Sequence, residues 1–213
     1  GHLLDVGAGS GGISHYFGTH PSGRFQVEAV DVRDIRLECG GYRFSLVADT
    51  KLPFEDASFD AVLSNHVIEH VGDDAAQAEH VSELRRVLRD DGVGYLAVPN
   101  RWRLVEPHYR LAFLSWFPEG WRSAWLRLWR KGDFYDCRPM SRDDLERRLA
   151  SAGFRFEQLH ASALRIDFEI ERPKSLLWRL FLRYIPDTVY AAAGAFFPTL
   201  IYRLTPVKRP SCV

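Results

Sequence analysis

Short apolar runs alternate with amphipathic stretches through most of the chain, and most of the runs close on an acid or a turn residue. Within His2–Val6, Leu3, Leu4 and Val6 are apolar around Asp5, and the run leads into Gly7-Ala8-Gly9-Ser10-Gly11-Gly12. That pattern predicts a buried parallel strand opening into a tight loop, then a helix from Ile13 to about His20, closed by Pro21 and Gly23. Further strands are predicted at Phe25–Asp31, Phe44–Asp49 and Phe59–Ser64. A helix is predicted from Asp73 to Arg89, with Val81, Leu84, Val87 and Leu88 on one face. Asp91-Gly92 then turns the chain into Gly94–Val98, stopped by Pro99. Ser141 caps a helix that runs to Gly153, and Phe154–His160 and Thr199–Leu204 complete the strands. Strands alternating with helices imply a mainly parallel sheet with right-handed crossovers, and no internal repeat interrupts the order.

Residues 101–140 break this rhythm. They hold five of the six tryptophans, and residues 101–131 carry seven Lys/Arg against two acids. Leu176–Phe197 is a second apolar stretch, too short and too charged to span a membrane. The net charge of zero hides an asymmetry. Residues 1–100 hold 8 Lys/Arg against 16 Asp/Glu, and residues 101–213 hold 20 against 12. An anionic acceptor or surface is therefore expected at the second half. Length and a 46% hydrophobic content suit one domain with a full core, 1–213, with 101–140 as an insert or lid and 176–204 as a C-terminal apolar segment. Cys39, Cys137 and Cys212 are odd in number and far apart, which argues against a disulfide framework or zinc site and for a reducing cytoplasm. Gly1 already stands at a strand start, so the chain is expected to lack its own N-terminus, and nothing about targeting follows.

The glycine loop implies a polar ligand at the carboxyl end of the first strand, beside free N–H groups of the next helix. A carboxylate ahead of the glycines would repel pyrophosphate and suits a cationic ligand. Asp31, closing the second strand, can accept both hydroxyls of a ribose. Asp49, after Ala48, can accept an exocyclic adenine amine, or else caps a turn.

Taken together, Asp5-Val6-Gly7-Ala8-Gly9-Ser10-Gly11, Asp31, Ala48-Asp49, Leu52-Pro53-Phe54, Phe59-Asp60, Asn65-His66-Val67-Ile68-Glu69-His70-Val71, Leu84–Leu88 and Asp91-Gly92-Val93 resemble the methyltransferase type 11 family of class I S-adenosylmethionine (SAM)-dependent enzymes. The resemblance covers residues 1–100 well and 101–213 in outline. It implies a Rossmann-like α/β fold, a seven-stranded mainly parallel sheet of order 3-2-1-4-5-7-6 with an α-rich insert after strand five. It also implies SAM as cofactor. Its binding residues would be Asp5, Gly7, Ala8, Gly9 and Gly11 for the methionine moiety, Asp31 for the ribose, Ala48 and Asp49 for adenine, Asn65 and His66 near the methyl group, and Val32 elsewhere in the cofactor site.

His66, Glu69 and His70 share one face if the segment is helical. They are the catalytic candidates, as a general base with its partners. A metal site, or a purely structural role, is the alternative, and no metal ligand is assigned. The insert is open to four readings. It is a lid over a hydrophobic or glycan acceptor, a membrane-surface element, a single-strand nucleic-acid platform, or a satellite core built on tryptophans. His108 is a second candidate base. The expectation is O-methylation of a hydrophobic, glycan or lipid-linked acceptor by a cytoplasmic protein with a peripheral contact to anionic membrane. Nucleic acid is not expected as a partner. Rival functions are an RNA or other nucleic-acid methyltransferase, a nucleotide-dependent oxidoreductase, and a SAM-binding scaffold without turnover.

Overall fold

In the computed structural model, residues 1–106 and 109–208 are described. Seven strands form one sheet: β1 (His2–Val6), β2 (Gln26–Asp31), β3 (Tyr42–Leu46), β4 (Phe59–Asn65), β5 (Leu88–Pro99), β6 (Phe154–Gln158) and β7 (Thr199–Pro206). Their order is 3-2-1-4-5-7-6. The first five are mutually parallel, and β7 runs antiparallel between β5 and β6. The α-helices are α1 (Gly12–Thr19), α2 (Asp74–Val87), α3 (Glu119–Leu128), α4 (Arg142–Ser151), α5 (His160–Glu171), α6 (Leu176–Leu180) and α7 (Asp187–Ala192).

The main core lies between one sheet face and helices α2 and α4. Leu4, Val30, Leu88, Leu96, Leu200 and Tyr202 meet Val81, Leu84, Val87, Leu145 and Leu149 there, and all are essentially inaccessible. The i, i+4 pair Leu145–Leu149 is the buried stripe expected of a helix laid on a sheet. The side chain of Asp73 accepts from the backbone N–H groups of Ala75 and Ala76, capping α2. Ser141 caps α4, and Gly153, at φ +83°, ends that helix turn in the left-handed conformation that favours glycine. A smaller core of Leu3, Val27 and Ala61 faces α1 through Phe17.

Most boundaries fall within two residues of expectation, and the larger differences have physical reasons. The third strand is Tyr42–Leu46, because the parallel ladder with β2 ends where Asp31 pairs with Leu46, leaving Ala48-Asp49 in the following loop. Helix α2 stops at Val87 and β5 begins at once. The Asp91-Gly92 turn is instead a bulge, since Phe59 pairs with Leu88 but Ala61 with Val93. The sixth strand ends at Gln158, and helix α5 follows where none was expected. Among its described residues the insert holds one full helix, α3, beside a short hairpin of Val105–Glu106 with Leu111–Ala112 and a 3₁₀ turn at Leu114–Trp116.

The insert has its own small core of Leu111, Leu114, Leu126, Tyr135 and Cys137, with Tyr109 and Trp125 against it. Of the readings of the tryptophans, the satellite core therefore holds for Trp125 only. Trp102, Trp116, Trp121 and Trp129 are exposed. Pro107 and His108 lie outside the described residues, and so does Cys212.

Candidate active site

The carboxyl ends of β1, β2 and β4 converge on the glycine loop. Gly7 (φ +84°), Gly9 (+51°) and Gly11 (+83°) all adopt the left-handed conformation. They are not equivalent. A Cβ on Gly7 would strike the Val67 side chain, and one on Gly11 would strike the Glu38 carbonyl and the Tyr42 hydroxyl. A Cβ on Gly9 would meet none of the described atoms within 4 Å. Gly7 and Gly11 are thus needed for packing, while Gly9 presents bare backbone to open space, as a cradle for a ligand does. The N–H groups of Gly7 and Ala8 donate to the Val30 carbonyl at 2.8 and 3.1 Å, fixing the loop to β2.

Asp31 completes the cradle. One carboxylate oxygen accepts from the Gly9 N–H at 2.8 Å, and the other accepts from the Arg33 N–H at 3.2 Å. The residue is half-buried, which leaves acceptor capacity on its accessible side. Val32 beside it is exposed. Asp5 is different. It is 1% exposed and lies behind the loop, where its Oδ2 accepts from the Ser14 hydroxyl at 2.6 Å. Burial raises its carboxyl from 3.8 to about 6; the Ser14 bond partly offsets that rise and the charge of Asp31 adds to it. Ser14 was not foreseen, although its spacing from Asp5 is that of a strand-end acid and the first turn of the next helix.

Ala48 and Asp49 are exposed in the loop after β3, and Asp49 accepts from the Lys51 N–H at 2.9 Å as a turn cap. Asn65 ends β4, half-buried. The chain then turns sharply: His66 has φ +58°, unusual for a residue with a Cβ, while its N–H donates to the Ala97 carbonyl. Ile68–His70 is a single 3₁₀ turn. It brings the three catalytic candidates together around Glu69. His66 Nδ1 lies 3.4 Å from Glu69 Oε1, and His70 Nε2 lies 4.0 Å from the same oxygen. Both imidazoles are about two-fifths exposed, whereas Glu69 is 1% exposed and neither of its carboxylate oxygens accepts a hydrogen bond from the described residues. Burying polar oxygens without partners is costly, and a further donor or cation at Glu69 would relieve that cost.

The insert closes on this turn. The Arg138 N–H donates to the Glu69 carbonyl at 2.7 Å, and the Gln77 amide donates to the Ile68 and Arg138 carbonyls. Arg103 faces Glu106, Tyr135, Glu69 and Cys137, and burial lowers its pKa. The Cys137 thiol is pushed well above its ordinary value by burial and by neighbouring acids. Glu106, Tyr135, Asp136 and Cys137 were missed, and no local motif marks them; only the tertiary return of the insert brings them here.

Comparisons with known proteins agree with this geometry. A family model described as a methyltransferase domain matches residues 4–96. A probable SAM-dependent methyltransferase of Mycolicibacterium smegmatis is 51% identical over 51 residues, 24% of this chain and 19% of that relative's length. The YcgJ protein of Bacillus subtilis superposes with a TM-score of 0.56 at 16% identity, covering 98% of this chain and 92% of the other. A Burkholderia thailandensis 1,6-didemethyltoxoflavin N1-methyltransferase, solved with S-adenosylhomocysteine, superposes with a TM-score of 0.55 at 17% identity, covering 97% and 71%. At such identities the superpositions speak for the fold. Over residues 4–96 the chain is similar to SAM-dependent methyltransferases, and its seven-stranded sheet shares the fold of the solved methyltransferases above.

Proposed function

We propose that the protein O-methylates a bulky, partly apolar, anionic acceptor of the lipid-linked sugar phosphate kind, with SAM as donor. Bound SAM supplies an electrophilic methyl on a positively charged sulfur. The residues fit that group. Gly9 offers open backbone, Asp31 offers a ribose acceptor beside it, Val32 and Ala48-Asp49 border the base side, and the buried charge of Asp5 faces the loop from behind. The acceptor would enter beside Asn65 and His66. His66, with its Nδ1 3.4 Å from Glu69 Oε1, would take the acceptor's hydroxyl proton as the methyl group is transferred to oxygen. His70 is the second imidazole of that turn. Position and exclusion of water supply most of the remaining acceleration.

The observation that carries the acceptor class is the exposed surface beyond the site. Trp121, Trp129, Phe134, Leu176, Phe181, Tyr184 and Phe196 are all exposed, interleaved with exposed Arg127, Arg130, Lys131, Arg179 and Arg183. Aromatic area with guanidinium groups between suits a lipid or glycan body bearing phosphate. Among the described residues no helix is long and apolar enough to cross a membrane, so contact with a bilayer would be peripheral. Labelled SAM offered with fractionated lipid, glycan and RNA pools tests the acceptor directly. Incorporation into a lipid or glycan fraction, with flotation on anionic vesicles that fades as salt rises, is the expected result. Incorporation only into RNA, or only into a small soluble acceptor without vesicle binding, overturns it.

A further inference from the structure

We propose that His70, Asp136 and Cys137 form a binding site for one divalent transition ion of the zinc class. One ligand atom from each lies within 4.8 Å of the others. Cys137 Sγ is 3.8 Å from His70 Nδ1 and 3.5 Å from Asp136 Oδ1. Tetrahedral zinc with Zn–S of about 2.3 Å and Zn–N or Zn–O of about 2.0–2.1 Å sets its ligand atoms about 3.4–3.6 Å apart. The sulfur now lies nearly as close to His70 Nε2, at 4.0 Å, so binding requires the imidazole to turn one nitrogen to the ion and the three ligand atoms to draw together. Thiolate, imidazole and carboxylate together are a donor set for zinc or cobalt, not for magnesium or calcium.

A second observation points the same way. A metal-bound imidazole ordinarily donates its other N–H to a carboxylate. Were the ring to turn so that Nδ1 met the ion, Nε2, now 4.0 Å from Glu69 Oε1, would be left for that carboxylate, which is 1% exposed and accepts no hydrogen bond from the described residues. An ion at the three ligands would complete that arrangement and balance the buried charge. Arg103 is the cation that already faces this cluster, against the acids Glu69, Glu106 and Asp136. The site is also held in place before any ion arrives. The Arg138 N–H to Glu69 carbonyl bond and the Gln77 amide, which bridges Ile68 and Arg138, clamp the two ligand-bearing segments together. Three protein ligands leave a fourth position open. The ion would bind the outgoing end of the insert to the turn after β4, whatever the acceptor is.

The test uses the whole chain, stripped with chelator and then loaded with Zn²⁺ or Co²⁺ alone. We expect one ion retained per chain through desalting, and a near-ultraviolet thiolate-to-cobalt absorption in the Co²⁺ form. Cys137→Ser should abolish that absorption, and Cys39→Ser should leave it intact. His70→Ala should lose the retained ion. Glu69→Gln should weaken binding by about 10–100-fold. Asp136 is exposed, so Asp136→Asn reports on the site even where a buried variant misfolds, and it should bind at least about tenfold more weakly. Circular dichroism of the stripped forms checks that each variant is folded. Substoichiometric retention by the wild type, a Co²⁺ form without thiolate absorption, or unchanged retention in folded Asp136→Asn and His70→Ala overturns the site.

Discussion

Replacing Asp5 by Asn removes the charge that sits behind the glycine loop. Burial lifts its carboxyl from 3.8 to about 6. Each tenfold change in an acid's dissociation constant is worth about 1.4 kcal/mol, so keeping this carboxylate ionised in the empty protein costs roughly 3 kcal/mol at neutral pH. The native state binds the proton more tightly than the unfolded chain does. The protonated group's contribution is therefore complete below about pH 3.8 and is lost as pH rises through about 6. His80 has the opposite slope in the same window. Buried in the core with Ser64 3.0 Å from its Nε2, it is pushed by burial down to about 4. Its contribution is present above the ordinary 6.5 and is lost as pH falls through about 4. The two offset each other in the wild type, so the useful quantity is the variant minus the wild type. Asn keeps an acceptor for the Ser14 hydroxyl and cannot ionise. Measured by urea unfolding, the advantage of Asp5→Asn should grow by roughly 2–3 kcal/mol between about pH 4 and about pH 8, on top of any constant offset from the new amide. A difference that stays flat across that window refutes the buried-charge account. The same charge should attract the cationic donor, so calorimetric SAM affinity should rise over this window in the wild type and stay level in the variant.

The glycines separate packing from binding: Gly7→Ala should lower stability by about 2 kcal/mol or more in thermal or urea unfolding, whereas Gly9→Ala should incur only the smaller left-handed penalty yet lose SAM affinity in calorimetry. Asp31→Ala should weaken SAM binding by about 1–3 kcal/mol, and an unchanged dissociation constant would remove Asp31 from the site. His66→Ala should keep SAM affinity and lower turnover by about 10²–10⁴-fold, while an unchanged rate would leave that ring a structural role.

The glycine loop and the acid beside it were legible because their determinants are local. A strand, a glycine loop and an acid at the next strand end are fixed by spacing, and the parallel order follows once strands and helices alternate. Boundaries went astray where pairing overrules propensity. Phe44–Asp49 looks like one strand, but the β2 ladder closes at Leu46. Helix α5 has weak amphipathy, and its first residue, His160, is buried against the Phe197 and Tyr202 rings, a contact no periodicity announces. In H-x-x-E-H the spacing suggested one helical face; the segment is instead a single 3₁₀ turn entered through a left-handed His66, with both imidazoles within 4.0 Å of one Glu69 oxygen. Asp136 and Cys137 stand more than sixty residues away from that turn and carry no motif, so only folding reveals them.

The way the second half is fastened suggests that donor and acceptor binding can vary separately. Asn100, fully buried, ends the path of β5. Its N–H donates to the Pro198 carbonyl, its amide donates to Ala195 and Phe197, and its Oδ1 accepts from the Trp102 N–H. The Arg101 N–H donates to the Met140 carbonyl next door. Both ends of the insert and the C-terminal segment therefore converge on one point. That point lies two strands from β1 in the order β1-β4-β5. Neighbouring strands are about 4.8 Å apart, so the fastening stands about 10 Å from the strand that carries the glycine loop. Long side chains span that distance, and the backbone of the loop need not move. Changes at Arg101 and Arg103 should accordingly raise the acceptor KM while leaving the SAM dissociation constant alone; a matched loss of both would mean that the insert shapes the glycine loop itself.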